Sequence, residues 1–100
     1  MIIYNVTINV DDEAHHQWLE WMQNEHIPAV LSTGLFTGYR ICRLLDVDDE
    51  GTTYSVQYSC NSLVEYNEYK EKYASGLQKE AMNKFNDKFT SFRTLLEVVE

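Results

Sequence analysis

The sequence predicts an α+β domain with the element order β-α-β-β-α-β. Apolar and polar residues alternate in four segments, and apolar residues recur at helical spacing in two longer ones. Turn-forming residues separate the segments. A chain of 100 residues can bury one hydrophobic core but not two, so 1–100 is predicted to be a single domain. This order is the ferredoxin-like arrangement, in which two helices cover one face of a four-stranded antiparallel sheet.

The first strand is predicted over 2–10, where apolar residues occupy every second position. The acidic pair Asp11–Asp12 follows and favours the start of a helix, since acidic side chains cap and stabilise helix N-termini. The helix is predicted over 13–31. Proline lacks an N–H and crowds the preceding turn, so we expect a kink or restart near His26–Pro28. Gly34 is predicted to end the helix.

Two strands are predicted over 37–46 and 52–60, joined by the acidic, glycine-ended turn DVDDEG into an antiparallel hairpin. Pairing across this turn places Cys42 opposite Ser55. Cys60 is then offset by about five residues, or roughly 17 Å along the strand. The two thiols are therefore too far apart for a disulfide.

The second helix begins with a predicted capping box, in which the Ser62 hydroxyl bonds an unpaired backbone N–H and Glu65 returns to another. A helical pattern of aromatic and apolar residues continues to Phe85, and Ser75–Gly76 is predicted to divide it. The last strand is predicted over 88–99, again by alternation.

The helices are expected to cover the more apolar row of each strand, leaving the other rows on an open face. Those rows contain Asn5, Thr7, Asn9, Arg40, Cys42, Leu44, Ser55, Gln57, Ser59, Arg93, Leu95 and Glu97. A single bulge in the second strand would instead place Tyr39, Ile41 and Arg43 there.

The open face suggests a binding site for a small molecule, because its side chains are polar but carry little charge. Arginine suits an anion, since its guanidinium can bond two oxygens at once. The predicted ligand-binding residues are Asn5, Thr7, Arg40, Ser55, Gln57 and Arg93. The alternative is structural, with Arg93 paired to a carboxylate across the sheet.

His26 is the candidate acid or base. It lies at the predicted helix break, beside a carboxylate and near two tryptophans, and histidine changes charge near neutral pH. Alternatively, its ring nitrogens bond backbone groups freed by Pro28. No cysteine–histidine spacing indicates a metal, and no motif indicates a cofactor.

Composition excludes several classes of protein. The chain has 16 acidic against 8 basic residues, a net charge of −8 and a pI near 4.7, which argues against nucleic-acid binding. No apolar segment approaches the roughly 20 residues needed to cross a bilayer. The first residues lack the basic region of a signal peptide. A cytoplasmic protein with reduced thiols is therefore predicted.

Several motifs across the chain resemble a small bacterial family of unknown function. The resemblance implies a ferredoxin-like chain of the dimeric α+β-barrel type and no particular reaction. The motifs are the opening MIIYNVT, W-x-x-W-M-x-x-E-H-I-P over Trp18–Pro28, T-G-x-F-T-x-Y-R over Thr33–Arg40, TTYSVQY over Thr52–Tyr58, and F-R-T-L-L-E-V-V over Phe92–Val99.

The segment Trp21–Pro28 is also similar to the W-x-x-x-H-H-x-P element of small dimeric α+β-barrel proteins linked to ether degradation. That similarity implies His26 as a pocket acid or base, although Glu25 stands where the element often has a second histidine. In such barrels two open sheet faces pack together, which implies a homodimer enclosing a wet, polar cavity.

Two functions remain open at this point. The first is a homodimer that binds a small, anionic molecule in that cavity, with or without cofactor-independent catalysis. The second is a non-catalytic interaction or regulatory subunit, which the acidic surface and the lack of paired catalytic groups would suit.

Overall fold

A computed structural model describes residues 1–48 and 50–100, so Asp49 of the predicted hairpin turn lies outside the described residues. The element order β-α-β-β-α-β is confirmed, with the first helical region divided into consecutive segments. The elements are β1 Ile2–Val10, α1 His15–Trp21, a π-helical segment Met22–His26, α2 Ile27–Leu31, β2 Gly38–Arg43, β3 Thr52–Cys60, α3 Leu63–Lys72, α4 Ala74–Phe85, a 3-10 turn Asn86–Lys88 and β4 Phe89–Glu97.

The four strands form one antiparallel sheet in the order β2-β3-β1-β4. The predicted hairpin register is confirmed, with Cys42 opposite Ser55 and Arg40 opposite Gln57. Arg40 therefore lies on the open face, while Arg43 lies on the helix side.

Both cysteines are free thiols. No helix in the described parts of the chain is long and apolar enough to span a membrane.

The hydrophobic core lies between the sheet and the helices. Alternate side chains of β1 and β3 face the helices and are buried, as their apolar periodicity predicts. Aromatic rings form much of this core, with Phe36 and Tyr69 at 5.0 Å and Tyr4 and Tyr58 at 5.9 Å between ring centroids. Helix α1 contributes Trp18, which is 1% exposed.

The predicted interruption of the first helical region is confirmed as the π-helical segment. The Ile27 N–H bonds the Met22 carbonyl, five residues earlier. In a regular α-helix the Pro28 ring would clash with the Asn24 carbonyl, and the wider turn relieves this crowding. The α-helix resumes at Ile27 and ends at Leu31. Three residues later, Gly34 adopts a φ of 79°, and its N–H donates a hydrogen bond to the Leu31 carbonyl.

The capping role predicted for Asp11–Asp12 is wrong. Helix α1 begins at His15 with Ala14 as its uncapped N-terminal residue. The Asp12 carboxylate accepts a hydrogen bond from the Thr52 hydroxyl at 3.0 Å, so it ties the helix start to β3.

The capping box is confirmed only in part. The Ser62 hydroxyl accepts a hydrogen bond from the Val64 N–H at 3.2 Å and so caps α3. Glu65 accepts from the Ser62 hydroxyl, whereas a bond to a backbone N–H was predicted.

The second helical region breaks at Tyr73, so the predicted break at Ser75–Gly76 is wrong. Tyr73 has φ −124° and ψ −33°, and Ser75 and Gly76 lie inside α4. Tyr69 and Ala74 are both buried although they are five residues apart. In a continuous α-helix that spacing would point them to different sides, and the break brings both to the core.

The face assignment of β4 was predicted wrongly. Arg93 pairs with Val6 and Phe89 with Val10, so Arg93 lies on the helix side of the sheet. Leu95 and Glu97 share its row, also contrary to prediction. The reason is the connection: the short turn Asn86–Lys88 delivers Phe89 into the core, and alternation then sets every later residue. Thr90, Phe92, Thr94 and Leu96 face the open side.

Gly51→Ala is expected to destabilise the protein by about 2 kcal/mol, because Gly51 has φ 80° and an added Cβ would lie 2.7 Å from the Val10 carbonyl oxygen. Gly38→Ala is the matched control, since a Cβ there meets nothing within 4 Å. Urea unfolding of both variants measures the difference. Equal losses in the two variants would contradict the strain at Gly51.

Candidate functional site

A cavity of about 300 Å³ lies between the helix side of the sheet and the helical layer. Strands β1, β3 and β4 form its floor, and α1, the π-helical segment, α3 and α4 form its roof. Its walls are mainly apolar. The polar side chains that line it are Tyr4, His26, Tyr58, Tyr69, Gln78, Asn86, Asp87, Ser91 and Arg93.

The π-helical segment places His26 against this cavity. The imidazole packs on Trp21 at 5.0 Å between ring centroids. Its Nδ1 is enclosed and has no hydrogen-bond partner. The structure therefore does not show the predicted alternative, in which backbone groups freed by Pro28 bond the ring.

Burial controls the charge of His26. Loss of solvent lowers its pKa from 6.5 to about 4, and the positive charge of Arg93 contributes in the same direction. The imidazole is consequently uncharged at neutral pH, with one donor and one acceptor nitrogen.

Arg93 reaches the cavity from β4 and is held by Tyr4. The Arg93 Nε–H donates to the Tyr4 hydroxyl at 3.0 Å. Gln78 lines the same cavity from α4. Burial raises the pKa of Tyr4, although Arg93 opposes the shift, so the phenol stays protonated at neutral pH.

The remaining tyrosines of the cavity are also neutral. Burial raises the pKa values of Tyr58 and Tyr69, and neighbouring tyrosine hydroxyls add to both shifts. The Tyr58 hydroxyl is enclosed without a hydrogen-bond partner. The cavity thus combines neutral hydroxyls, an uncharged imidazole and one arginine, an environment in which an anionic oxygen would find donors and a positive charge.

Most of the predicted ligand-binding residues bond one another on the opposite face. The Ser55 hydroxyl donates to Asn5 Oδ1 at 2.6 Å, and Gln57 Nε2 donates to Ser55 at 3.3 Å. Asn5 Nδ2 donates to Thr7 at 3.1 Å and to Thr94 at 3.0 Å. A ligand on this face would have to compete with bonds that are already made.

The six predicted ligand-binding residues therefore do not form one site. Arg40 is exposed on the open face with the polar network, whereas Arg93 joins His26 on the helix side. Sequence reasoning missed Tyr4, Tyr58 and Gln78 as site residues. Alternation gave no signal for them, because it does not state which row of β4 faces inward and therefore where a cavity would lie.

Nothing in residues 1–48 and 50–100 brings together three histidine, cysteine or acidic side chains as a metal site would need. Among the residues that the structure describes, Asp87 is the only acid that lines the cavity and His26 the only histidine. The side chains that line the described site can form hydrogen bonds, transfer a proton and bind an anion.

Comparison with known protein families shows to which family this chain belongs. A family model described as "Domain of unknown function (DUF4286)" matches residues 1–99. The chain belongs to this family. No curated protein matches the DUF4286 chain.

Solved structures show what the DUF4286 chain resembles in three dimensions. An EthD-family protein from Bacillus halodurans has TM-score 0.66 and 13% identity, covering 99% of this chain and 100% of its own. A dimeric ferredoxin-like protein from an uncultured marine organism has TM-score 0.73 and 10% identity, covering 99% and 95%. An MhuD variant with two manganese protoporphyrin IX molecules bound per active site has TM-score 0.67 and 22% identity, covering 100% and 96%.

Identities this low show the fold alone. They confirm that the DUF4286 chain has the ferredoxin-like fold, and that proteins with this fold include dimeric ones.

Proposed function

We propose that this DUF4286 protein binds a small organic molecule in the cavity between the sheet and the helices, with His26 as the group that exchanges a proton with it. The observation that carries the proposal is His26 itself, an uncharged imidazole that lines the cavity and whose Nδ1 has no hydrogen-bond partner.

The proposed chemistry is the transfer of a proton from the ligand to His26. The imidazole of His26 can accept a proton from an acidic O–H or C–H of the ligand, which leaves the ligand as an anion and His26 as a cation. The Arg93 guanidinium then stabilises the anion. Arg93 alone disfavours a charged His26, but a ligand anion between the two groups offsets that repulsion. This proton transfer requires no cofactor.

We further propose that two copies pair through their open sheet faces. Charged residues make up 24% of the chain, yet Arg40 is the only one among the paired residues of that face. Phe92 and Leu96 lie on the same face and are 60% and 44% exposed. Depletion of charge and exposed apolar side chains are typical of an interface core.

The polar network on that face suits the same arrangement, because groups that are already hydrogen-bonded lose less when water is removed. The dimeric ferredoxin-like relative supports this part of the proposal by its fold. A cytoplasmic location completes the proposal, since a reducing compartment suits two free thiols.

The cavity can be tested with 1-naphthol as a neutral aromatic probe. We expect its titration to shift the imidazole nitrogen signals of His26 in NMR spectra. Ala81 lines the cavity, so Ala81→Trp should fill the space and abolish binding. Asn83→Trp is the matched control, because Asn83 is an exposed residue of the same helix and does not line the cavity.

Binding that survives Ala81→Trp would place the probe elsewhere and contradict the proposal. Absence of binding to the wild type, together with native mass spectra free of any small adduct, would contradict it as well. That second result would favour the non-catalytic interaction protein.

A further inference from the structure

We propose that the ligand of this cavity is an aromatic carboxylate of about ten to fifteen non-hydrogen atoms, with its carboxylate bound by Arg93. This inference rests on the proposed function and specifies the substrate class of the same site. Size, wall shape and charge support it separately.

The size of the cavity limits the ligand. A dry protein cavity of roughly 150 Å³ accommodates benzene. The cavity here measures about 300 Å³, or twice that volume. It can therefore hold a substituted ring or a fused pair of rings.

The walls favour a flat molecule. Trp18 and Met22 line the cavity from the helical layer, while Val6 and Val56 line it from the sheet. A space between two layers suits a planar ligand, and methionine makes favourable contacts with aromatic rings. Trp18 is held in place by Tyr54, with 5.0 Å between ring centroids, so this wall is preorganised.

The unpaired positive charge of Arg93 indicates that the ligand is an anion. Acidic residues outnumber basic ones by 16 to 8, yet the residue that Arg93 bonds is a tyrosine. In the described ranges the ion pairs join Lys72 to Glu68 and Lys88 to Glu13, and none involves Arg93.

Tyr4 also orients Arg93. The bond to Tyr4 uses the Nε–H, and the two terminal nitrogens keep four N–H donors. Terminal guanidinium nitrogens bind both oxygens of a carboxylate in parallel, which a neutral amide of the same shape cannot reproduce.

The test compares 1-naphthoate with its neutral analogue 1-naphthamide by isothermal titration calorimetry at pH 7. We expect naphthoate to bind the wild type at least tenfold more tightly. Arg93→Gln should abolish this preference and leave the affinity for naphthamide nearly unchanged. Arg40→Gln is the matched control, because Arg40 lies on the opposite face of the sheet. It should keep the preference.

Tyr4→Phe separates positioning from charge. The variant keeps Arg93 but removes the hydroxyl that bonds its Nε, so the preference should shrink without disappearing. Circular dichroism spectra show whether each variant is folded.

Three results distinguish this inference from the proposed function. Equal binding of both compounds to the wild type would overturn the carboxylate assignment and leave the cavity function standing. Preference for naphthamide would do the same. Failure of naphthoate, naphthamide and 1-naphthol alike would overturn both.

Discussion

Phe92→Asp is expected to separate the proposed dimer into monomers. Phe92 lies on the open sheet face and is 60% exposed in the single chain, so the substitution should leave the fold of the monomer intact. A dimer paired through this face would bury two added carboxylates, one from each copy. Burying an unpaired charge costs several kcal/mol, so the dimer dissociation constant should rise at least about a hundredfold.

Sedimentation velocity at micromolar concentration measures this effect. Leu95→Asp is the matched control, because Leu95 is 44% exposed but belongs to the row of β4 that faces the helix side. The Leu95→Asp variant should remain a dimer. The interface assignment is wrong if the wild type itself sediments as a monomer, or if Leu95→Asp dissociates the dimer as strongly as Phe92→Asp.

His26 is expected to make the stability of the protein depend on pH between 6.5 and about 4. Below pH 6.5 the imidazole of the unfolded chain takes up a proton, whereas the folded chain does so only near pH 4. The stability that His26 contributes is therefore present above pH 6.5, falls as the pH decreases, and is lost at about pH 4. A pKa difference of this size corresponds to about 3 kcal/mol.

The contribution of His26 is isolated by comparing variants, because carboxylates titrate in the same range. Urea unfolding at fixed protein concentration should show a shallower pH dependence for His26→Gln than for the wild type. His16→Gln removes an exposed histidine of the neighbouring α1 and should behave like the wild type. Parallel curves for His26→Gln and the wild type would show that the imidazole is already solvated in the folded chain.

Much of the fold follows from local patterns in the sequence. Alternation of apolar residues locates β1 and β3, and the acidic, glycine-ended turn predicts the register that places Arg40 on the open face. Pro28 locates the interruption of the first helical region, because a proline ring disturbs the preceding turn in any helix. Each of these features depends on residues that are close together in the chain.

The site was harder to predict, since it depends on residues far apart in the chain. His26 was identified from its position at the helix break, but Arg93, which lines the same cavity, was assigned to the wrong face of the sheet. Alternation divides β4 into two rows without stating which row faces inward. The more apolar row was assigned to the helices, whereas the structure turns the row with Ser91 and Arg93 toward them.

The sequence by itself determined the element order, the hairpin register and the position of His26, because short-range periodicity and turn chemistry control all of them. Only the tertiary structure decided which row of β4 meets the helices, because that depends on how the turn Asn86–Lys88 enters the core. It also decided that the helical layer leaves a cavity there. An inner row that lines a cavity can carry polar residues such as Ser91 and Arg93. The inner row of β4 therefore includes polar side chains, in contrast to the usual rule of apolar residues inside.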